Sequence, residues 1–204
     1  MTTSSSYTQL NMDVSTSHWI LFELILLAIC EFAPIPTFIA RKLCHIGSGI
    51  MMLQLDQDDK LARWFVYCVA ISSLMMVWEV IPFQFRYSKE KDVGISIYLV
   101  IVTIFFYAQL PLNIIQPVFY ADPLGAIVGK GLTKLKIYNP AWIGQKTIGG
   151  TAAVFIATIL SLNFGTLSQK ILLGASAAVV EGISLEYDNL MITAVILSGY
   201  HIFA

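Results

Sequence analysis

The chain has 204 residues, of which 57% are hydrophobic and 12% are charged, about half the charged share of an average soluble domain. The net charge of −1 excludes a protein that binds nucleic acid through a strong basic field, and no nucleic-acid partner is expected. The mean hydropathy of +0.74 and the long apolar stretches predict an all-α, polytopic integral membrane helical bundle. They also exclude a multidomain enzyme and a disordered chain.

The first 17 residues differ from the rest of the chain in composition. Residues 1–17 are rich in serine and threonine and contain no lysine or arginine, which argues against a signal peptide or a transit peptide. We interpret them as a disordered polar tail before a single transmembrane domain over residues 18–204. Seven or eight spans, some short or broken, are predicted at residues 18–39, 42–55, 61–83, 93–110, 112–130, 149–164, 168–184 and 188–204.

Between these spans, the basic residues fall mainly on one side of the predicted bundle. Lys60, Arg63 and Lys170 lie on one side, and the other nine lie opposite: Arg41, Lys42, Arg86, Lys89, Lys91, Lys130, Lys134, Lys136 and Lys146. The positive-inside rule assigns the richer side to the cytoplasm. Both termini and the acidic turn at 56–59 are then outside, and residues 131–148 form a cytoplasmic loop.

The cysteines predict neither a disulfide framework nor a zinc site. Cys30, Cys44 and Cys68 lie in or beside apolar stretches and lack CxxC spacing. We interpret them as buried free thiols.

Ionisable and small polar residues collect in five segments. An ionisable group inside a membrane span costs free energy, so its presence there indicates a functional role. In the first segment, RKLCHIGSG, Arg41 and His45 share a helix face, and Lys42 lies between them. The basic pair could simply contact lipid headgroups, but His45 lies beyond it in an apolar region. The second segment, KEKDVGISIY, has the residue types of an interfacial loop before a span and contains Lys91, Asp92, Gly94 and Tyr98.

The third segment, ADPLGAIVGKG, places an acid in an apolar stretch. Asp122 precedes Pro123, and the small residues Gly125 and Gly129 are spaced for close helix packing before Lys130. Pro117 and Pro123 are expected to break the helix, and irregular backbone at membrane depth is tolerated where it lines a cavity. Glycine packing does not account for Asp122, so we interpret the segment as a cation or phosphate site.

The fourth segment, QKTIGGTAA, opens the sixth predicted span. A glycine-rich turn at a helix N-terminus presents free N–H groups, and a nearby lysine adds positive charge, so an anion could bind there. A glycine hinge into the helix is the alternative. The candidate residues are Lys146, Thr147, Gly149, Gly150 and Thr151.

The fifth segment, VVEGISLEYDNL, supplies two carboxylates and an amide. Glu181 ends one predicted span, and Asp188 and Asn189 begin the next. Carboxylate and amide oxygens suit Mg²⁺, although Asp188 could also serve as a plain helix N-cap.

All five segments fall on the predicted cytoplasmic side. Basic groups, carboxylates and a buried histidine at a membrane face indicate phosphoryl transfer from a nucleotide to a lipid alcohol.

Taken in this order, the five segments resemble the CTP-dependent polyprenol kinase family, which includes dolichol kinases, a CTP-dependent diacylglycerol kinase and phytol kinases. The likeness covers residues 41–189. It rests on Arg41, Lys42, His45, Gly49, Lys91, Asp92, Gly94, Tyr98, Asp122, Pro123, Gly125, Ala126, Gly129, Lys130, Lys146, Thr147, Gly150, Thr151, Ala153, Glu181, Asp188 and Asn189.

Two departures favour the phytol kinase branch. Gly149 stands where dolichol kinases commonly carry glutamate, and the chain lacks their extra amino-terminal spans. The resemblance implies CTP as the phosphate donor and an isoprenoid or related alcohol, such as phytol or geranylgeraniol, as the acceptor. It also implies a multi-pass protein of the endoplasmic reticulum or plastid membrane, if the source is eukaryotic, with the active site on the cytoplasmic or stromal side. An oligomer is possible.

The candidate roles follow from residue type. Phosphates would contact Arg41, Lys42, Lys130, Lys146, Thr147 and the Gly149–Thr151 turn, and Mg²⁺ would bind Asp122, Glu181, Asp188 and Asn189. The catalytic residues would be His45, Asp122 and Lys146. The general base is open between His45, whose type has an unperturbed pKa of ~6.5, and Asp122, which would be a poor proton acceptor as a metal ligand.

Two other functions remain open at this point. A cytidylyltransferase that forms a CDP-lipid would use the same basic and acidic groups but release pyrophosphate. A small ion or lipid transporter could instead use a broken helix around Asp122 to coordinate its cargo.

Overall fold

The computed structural model describes residues 15–204, and the eight helices within this part of the chain confirm the all-α fold class. Residues 1–14 of the predicted tail lie outside the described residues, and Thr16 already belongs to the first helix. The helices are α1 Thr16–Phe32, α2 Thr37–Met52, α3 Lys60–Val77, α4 Val93–Tyr107, α5 Gln116–Lys134, α6 Ile148–Ser161, α7 Leu167–Ile183 and α8 Asp188–Phe203. Short 3-10 turns cover Leu112–Ile115 and Leu185–Tyr187.

Side chains that satisfy free backbone N–H groups define several helix starts. Asp59 accepts from the N–H of Leu61 at the start of α3, and Asp92 accepts from the N–H of Ile95 in α4. Thr166 and Gln169 form a reciprocal capping box at the start of α7. These are the residue types that stabilise helix N-termini by accepting hydrogen bonds from free backbone N–H groups.

The first predicted boundary is displaced. The expected span over 18–39 is divided, because α1 ends at Phe32 and α2 begins at Thr37. Pro34 and Pro36 lie between the two helices. Proline lacks the N–H that would continue α1, and its fixed φ suits the position just before a new helix.

The predicted break around Asp122 is wrong, because α5 is continuous through Pro123. Pro117 lies in the first turn of α5, where a backbone N–H would have no partner within the helix, so the proline removes no hydrogen bond. Pro123 removes one internal bond, but the segment is buried and packs against α2, α6 and α8. Neighbouring helices make an internal proline tolerable.

The predicted loop over 131–148 is partly structured. Helix α5 continues to Lys134, and a small antiparallel hairpin follows, with β1 at Ala141–Ile143 and β2 at Lys146–Thr147. Gly144 has a φ of +52° in its turn, a region that glycine enters without steric strain. The hairpin leads directly into α6.

Helix packing is densest around α5. Helices α5 and α6 pack closely, α7 packs between α6 and α8, and α1 pairs with α2. Phe106, Ile115, Phe119 and Ile192 are fully buried in this core. Helix α3 is peripheral, because it packs mainly on α4 and more lightly on α1.

Within residues 15–204, one helix is both long and apolar enough to cross a membrane by length and composition, namely α3. Helices α4 and α6 are apolar but shorter. All three cysteines are free, as expected, but the prediction that all are buried is wrong. Cys30 is buried and Cys44 is half-buried, whereas Cys68 is exposed on the peripheral helix α3.

Glycines allow α5 and α6 to approach closely. A Cβ atom added at Gly150 would lie 2.9 Å from the backbone oxygen of Gly125, and one at Gly129 would lie 2.9 Å from the Thr147 hydroxyl. A Cβ at Gly131, also in α5, would meet nothing within 4 Å. The close approach therefore depends on Gly150, and Gly131 provides a matched comparison.

Gly150→Ala is expected to destabilise the protein by about 1–3 kcal/mol, because the backbone of α5 must move to relieve the contact. Gly131→Ala is expected to be neutral or to stabilise by roughly 0.5–1 kcal/mol, because alanine favours a helix. Thermal unfolding of both variants in the same detergent checks the prediction. Equal unfolding temperatures would contradict the packing argument.

Candidate functional site

The loops at one end of the helical bundle bring the charged segments together. Four ion pairs join residues that are far apart in the sequence: Arg41 with Asp92, Lys42 with Asp122, Lys146 with Glu181, and Lys89 with Glu186. The last pair is exposed, and Arg41 is also exposed although its partner Asp92 is buried. Both members of the other two pairs are half-buried or buried. Residues from all five predicted segments therefore lie at a single end.

Three carboxylates form the centre of this cluster. Asp122 from the middle of α5, Glu181 from the last turn of α7 and Asp188 from the start of α8 each place one oxygen within 4.8 Å of the others. Asp122 and Glu181 are buried, and Asp188 is half-buried. Three converging carboxylate oxygens are a ligand set that a hard divalent cation can use.

Two lysines neutralise part of this charge. Lys42 Nζ donates to Asp122 Oδ2 over 2.7 Å. Lys146 Nζ donates to Glu181 and lies 3.6 Å from Asp188 Oδ2. Three carboxylates against two ammonium groups leave one negative charge in excess, and buried charge is stable only when it is compensated.

Neighbouring carboxylates keep Lys146, which lies on the hairpin outside the helices, protonated. Burial acts to lower its pKa, but the hydrogen bond to Glu181 and the charges of Glu181, Asp188 and Asp122 outweigh burial and raise the pKa above its usual value of 10.5. A raised folded-state pKa stabilises the fold below the unfolded-state pKa, and this contribution disappears only as the pH rises through the raised value. Lys146 is therefore charged at neutral pH.

His45 lies beside Asp122 in a fixed orientation. Its Nε2 is 3.2 Å from the carbonyl oxygen of Val118. Because a carbonyl only accepts, this bond assigns the ring proton to Nε2. Nδ1 lies 3.8 Å from Asp122 Oδ2, beyond hydrogen-bond distance. The lone pair on Nδ1 is thus available as a proton acceptor.

The second predicted segment supports the cluster from α4. Asp92 caps α4 and pairs with Arg41, whose side chain is 41% exposed. The carbonyl of Gly94 accepts from the side-chain amide of Asn189 over 3.1 Å. Asn189 Oδ1 has no hydrogen-bond partner among residues 15–204, so it keeps the acceptor capacity expected of a fourth ligand.

Two predicted residues lie away from the carboxylates. Lys130 Nζ lies over the ring of Phe38, 3.8 Å from its centroid. It follows Asp122 by two helical turns, a separation of ~12 Å along α5 at 1.5 Å per residue. Lys91 is exposed in the turn before Asp92 and has a φ of +49°. The structure therefore does not bring Lys130 or Lys91 into the cluster.

The backbone N–H groups of Gly149 and Gly150 in the glycine-rich turn have partners within the chain, whereas the sequence predicted that they are free. The N–H of Gly149 donates to Asn139 Oδ1 over 2.8 Å, and the N–H of Gly150 donates to the Thr147 hydroxyl over 3.3 Å. The Thr151 hydroxyl accepts from the Trp142 indole. These groups bond within the chain, and the structure favours the alternative of a hinge into α6.

Sequence reasoning missed two polar residues. Asn139 joins the hairpin to both helices, because its amide donates to the Gly129 carbonyl and the Thr147 hydroxyl while its oxygen accepts from Gly149. Its position before Pro140, a turn signal, could have drawn attention to it. Glu23 is a buried acid in the middle of α1. An ionisable group inside an apolar span is costly, and this argument, which identified Asp122, applies equally to Glu23.

A cavity of about 280 Å³ opens from the carboxylate cluster into the bundle. Its charged end includes Asp122, Asp188 and Asn189. Deeper in the bundle it lies between α2, α3 and α4, where the wall is mainly apolar: Met51, Met52, Phe65, Val69, Leu99 and Val102. Tyr98 also lines the cavity, whereas Pro123 is buried in the core of α5. The charged cluster thus adjoins an apolar space.

No protein-family model, curated protein or solved structure matches the chain.

Proposed function

We propose that this protein is a membrane-embedded kinase that transfers the terminal phosphate of a nucleoside triphosphate to a lipid alcohol. The observation that carries the proposal is the position of the carboxylate and lysine cluster at the mouth of an apolar cavity. Phosphoryl transfer needs positioned cations and little covalent chemistry from the protein. The acceptor needs an apolar space that ends at those charges.

The outer surface supports a position within a bilayer. Large apolar side chains are exposed on all of the described helices except the central α5, including Leu24, Trp64, Ile104, Leu160 and Ile202. Charged residues within helices lie mainly near helix ends, and the inner exceptions Glu23 and Asp122 are buried. An apolar surface that surrounds a bundle fits hydrocarbon and would cause aggregation in water.

The charges of the cluster fit a bound nucleotide and a divalent cation. Asp122, Glu181 and Asp188, assisted by Asn189, would hold Mg²⁺, which supplies neutralisation of charge on the transferring phosphate. Lys42 and Lys146 now pair with these acids and can turn to phosphate oxygens when a cation takes their place. Arg41 is exposed enough to reach a third phosphate group.

His45 is the better candidate for the general base. Its Nδ1 is free while Nε2 is anchored on Val118, and it borders the cavity into which the acceptor would extend. Asp122 is committed to Lys42 and to the carboxylate cluster. A carboxylate that holds a cation is a weak proton acceptor, so the lipid hydroxyl would transfer its proton to His45.

The resemblance of the five segments adds the donor and the acceptor class to this proposal. CTP would be the donor, an isoprenoid or related long-chain alcohol the acceptor, and CDP and the lipid phosphate the products. The basic side would face the cytoplasm or stroma. The transporter alternative required a helix that is broken at Asp122, but α5 is continuous there.

Isotope transfer tests the proposal directly. Purified protein in lipid nanodiscs with Mg²⁺ is given CTP labelled on either the γ or the α phosphate, together with phytol. Label from the γ position alone in the lipid is the expected result. Label from the α position in the lipid, with release of pyrophosphate, would identify a cytidylyltransferase instead. No label from either position with phytol, geranylgeraniol, farnesol or diacylglycerol would overturn the proposal.

Lys146→Met is expected to reduce kcat by about 10²–10³-fold, the usual effect of removing one preorganised group that stabilises transition-state charge. Lys89→Met is the matched control, because it removes a lysine from an exposed pair at the same end of the bundle. Exposed ion pairs contribute little to stability or function. Equal kcat values for the two variants would remove Lys146 from the phosphate site.

A further inference from the structure

Glu23 is a buried acid that the proposed reaction does not use. It lies in the middle of α1, is 2% exposed and accepts from the Ser48 hydroxyl over 2.6 Å through Oε1. Its second oxygen, Oε2, has no hydrogen-bond partner among residues 15–204. A buried polar atom without a partner is unfavourable, so Oε2 needs a hydrogen-bond partner that the described residues do not supply.

A second unsatisfied group lines the same cavity. The hydroxyl of Tyr98, from α4, is buried and also lacks a partner among residues 15–204, and its ring packs edge-on against His45 at 4.5 Å. Glu23, Ser48 and Tyr98 all line the cavity that begins at Asp122. Two orphaned polar groups on different helices thus adjoin one otherwise apolar space.

The spacing along α2 defines the depth of these groups. Ser48 follows His45 by three residues and Lys42 by six, which is ~4.5 Å and ~9 Å along the helix axis at 1.5 Å per residue. Glu23 bonds to Ser48 and so lies at the same depth. A lipid whose hydroxyl reacts beside His45 would pass Glu23 and Tyr98 within a few bonds of that hydroxyl.

We propose that Glu23, Ser48 and Tyr98 form a second polar subsite that binds a further hydroxyl group of the lipid acceptor, close to the hydroxyl that is phosphorylated. This inference rests on the proposed function and adds a preference, among the lipid alcohols that the enzyme would phosphorylate, for those with two nearby hydroxyl groups. The group bound here is not phosphorylated, because Ser48 lies ~9 Å along α2 from Lys42, which pairs with the carboxylate cluster.

Hydrogen-bond chemistry selects a hydroxyl for this subsite. A hydroxyl group both donates and accepts hydrogen bonds. A lipid hydroxyl can therefore pair with Glu23 Oε2 whether the acid is ionised or protonated, and it can accept from the Tyr98 hydroxyl. A plain hydrocarbon chain would leave both groups unpaired.

A pair of matched acceptors tests the subsite: a sixteen-carbon primary alcohol and the 1,3-diol of the same chain. The wild type is expected to use the diol with a kcat/KM at least about tenfold higher, because a site built around a substrate hydroxyl discriminates strongly against analogues that lack it. Tyr98→Phe and Glu23→Gln should bring this ratio towards one, mainly through the KM of the diol. Both changes preserve side-chain shape.

Tyr87→Phe is the control, since Tyr87 lines the same cavity but its hydroxyl already has Cys44 Sγ as a partner. It should keep the wild-type ratio. Equal use of the two acceptors by the wild type, or a ratio that Tyr98→Phe leaves intact, would overturn the subsite while leaving the kinase proposal standing.

Direct binding of the radiolabelled diol and of the labelled alcohol to the purified protein separates the two proposals. If no acceptor is phosphorylated, tighter binding of the diol that Tyr98→Phe abolishes would support the subsite and reject the kinase. Equal binding of both lipids by wild type and Tyr98→Phe would reject the subsite as well.

Discussion

Asp122→Asn is expected to reduce phosphate transfer from CTP by about 10³-fold or more, because metal coordination and charge neutralisation contribute several kcal/mol to such reactions. Asp122 is the carboxylate that connects the acidic cluster with the lysine and the histidine beside it. It contributes to the acidic cluster, pairs with Lys42 and lies beside His45. The asparagine keeps the shape of the side chain but removes the charge that attracts a cation.

Binding of Mn²⁺, followed by electron paramagnetic resonance, measures the same change without turnover. Asp122→Asn and Asp188→Asn should both weaken Mn²⁺ binding. Asp59→Asn is the control, because it makes the same change at the start of α3, at the opposite end of the bundle. If Asp122→Asn transfers phosphate or binds Mn²⁺ as well as Asp59→Asn does, the acidic cluster is not the metal site.

His45→Gln is expected to lower kcat by about 10²–10⁴-fold, the usual contribution of a general base. Glutamine can still donate a hydrogen bond from its amide to the Val118 carbonyl, so the contact that holds the side chain is retained. It lacks the free ring nitrogen. The loss should therefore appear in kcat, with the thermal unfolding temperature close to that of the wild type.

The pH profile distinguishes a base from a positioning residue. The limb of kcat/KM that rises with pH as the base loses its proton should disappear in His45→Gln. His201→Gln, which changes an exposed histidine near the end of α8, should retain the wild-type profile. An unchanged limb in His45→Gln would instead assign the base to another group, and Asp122 would be the first to examine.

The number and order of the helices could be predicted from hydropathy, because each helix is an apolar stretch bounded by polar residues. The boundaries were less predictable where proline was involved. Pro34 and Pro36 separate α1 from α2, whereas Pro123 lies inside a continuous α5. The same residue type has opposite effects, since neighbouring helices around Pro123 compensate for the missing hydrogen bond and this packing is not visible in a sequence.

The acidic cluster could also be predicted, because Asp122, Glu181 and Asp188 are costly residues to bury. Asp122 lies inside a predicted span, and the other two lie at span ends. The glycine-rich turn was different. Free N–H groups at a helix start were inferred from local sequence alone, but Asn139 and Thr147 already accept from Gly149 and Gly150. Asn139 is ten residues away from Gly149, so a local pattern could not reveal that the donors were occupied.

Glu23 was missed for a related reason. Among residues 15–204 it forms no ion pair, and attention to clusters of charged residues passes over an isolated acid in the middle of an apolar helix. Its significance comes from Ser48 and Tyr98 on two other helices. Only the packed structure brings these groups to one cavity.

The peripheral position of α3 has a kinetic consequence for the proposed enzyme. Helix α3 packs mainly on α4, and the cavity occupies the space between α3 and α2. An acceptor that enters beside α3 arrives by two-dimensional diffusion within the bilayer. Its mole fraction in the membrane, and not its bulk concentration, then sets the rate. Dilution with inert phospholipid should therefore slow the reaction even when the total amount of acceptor is unchanged.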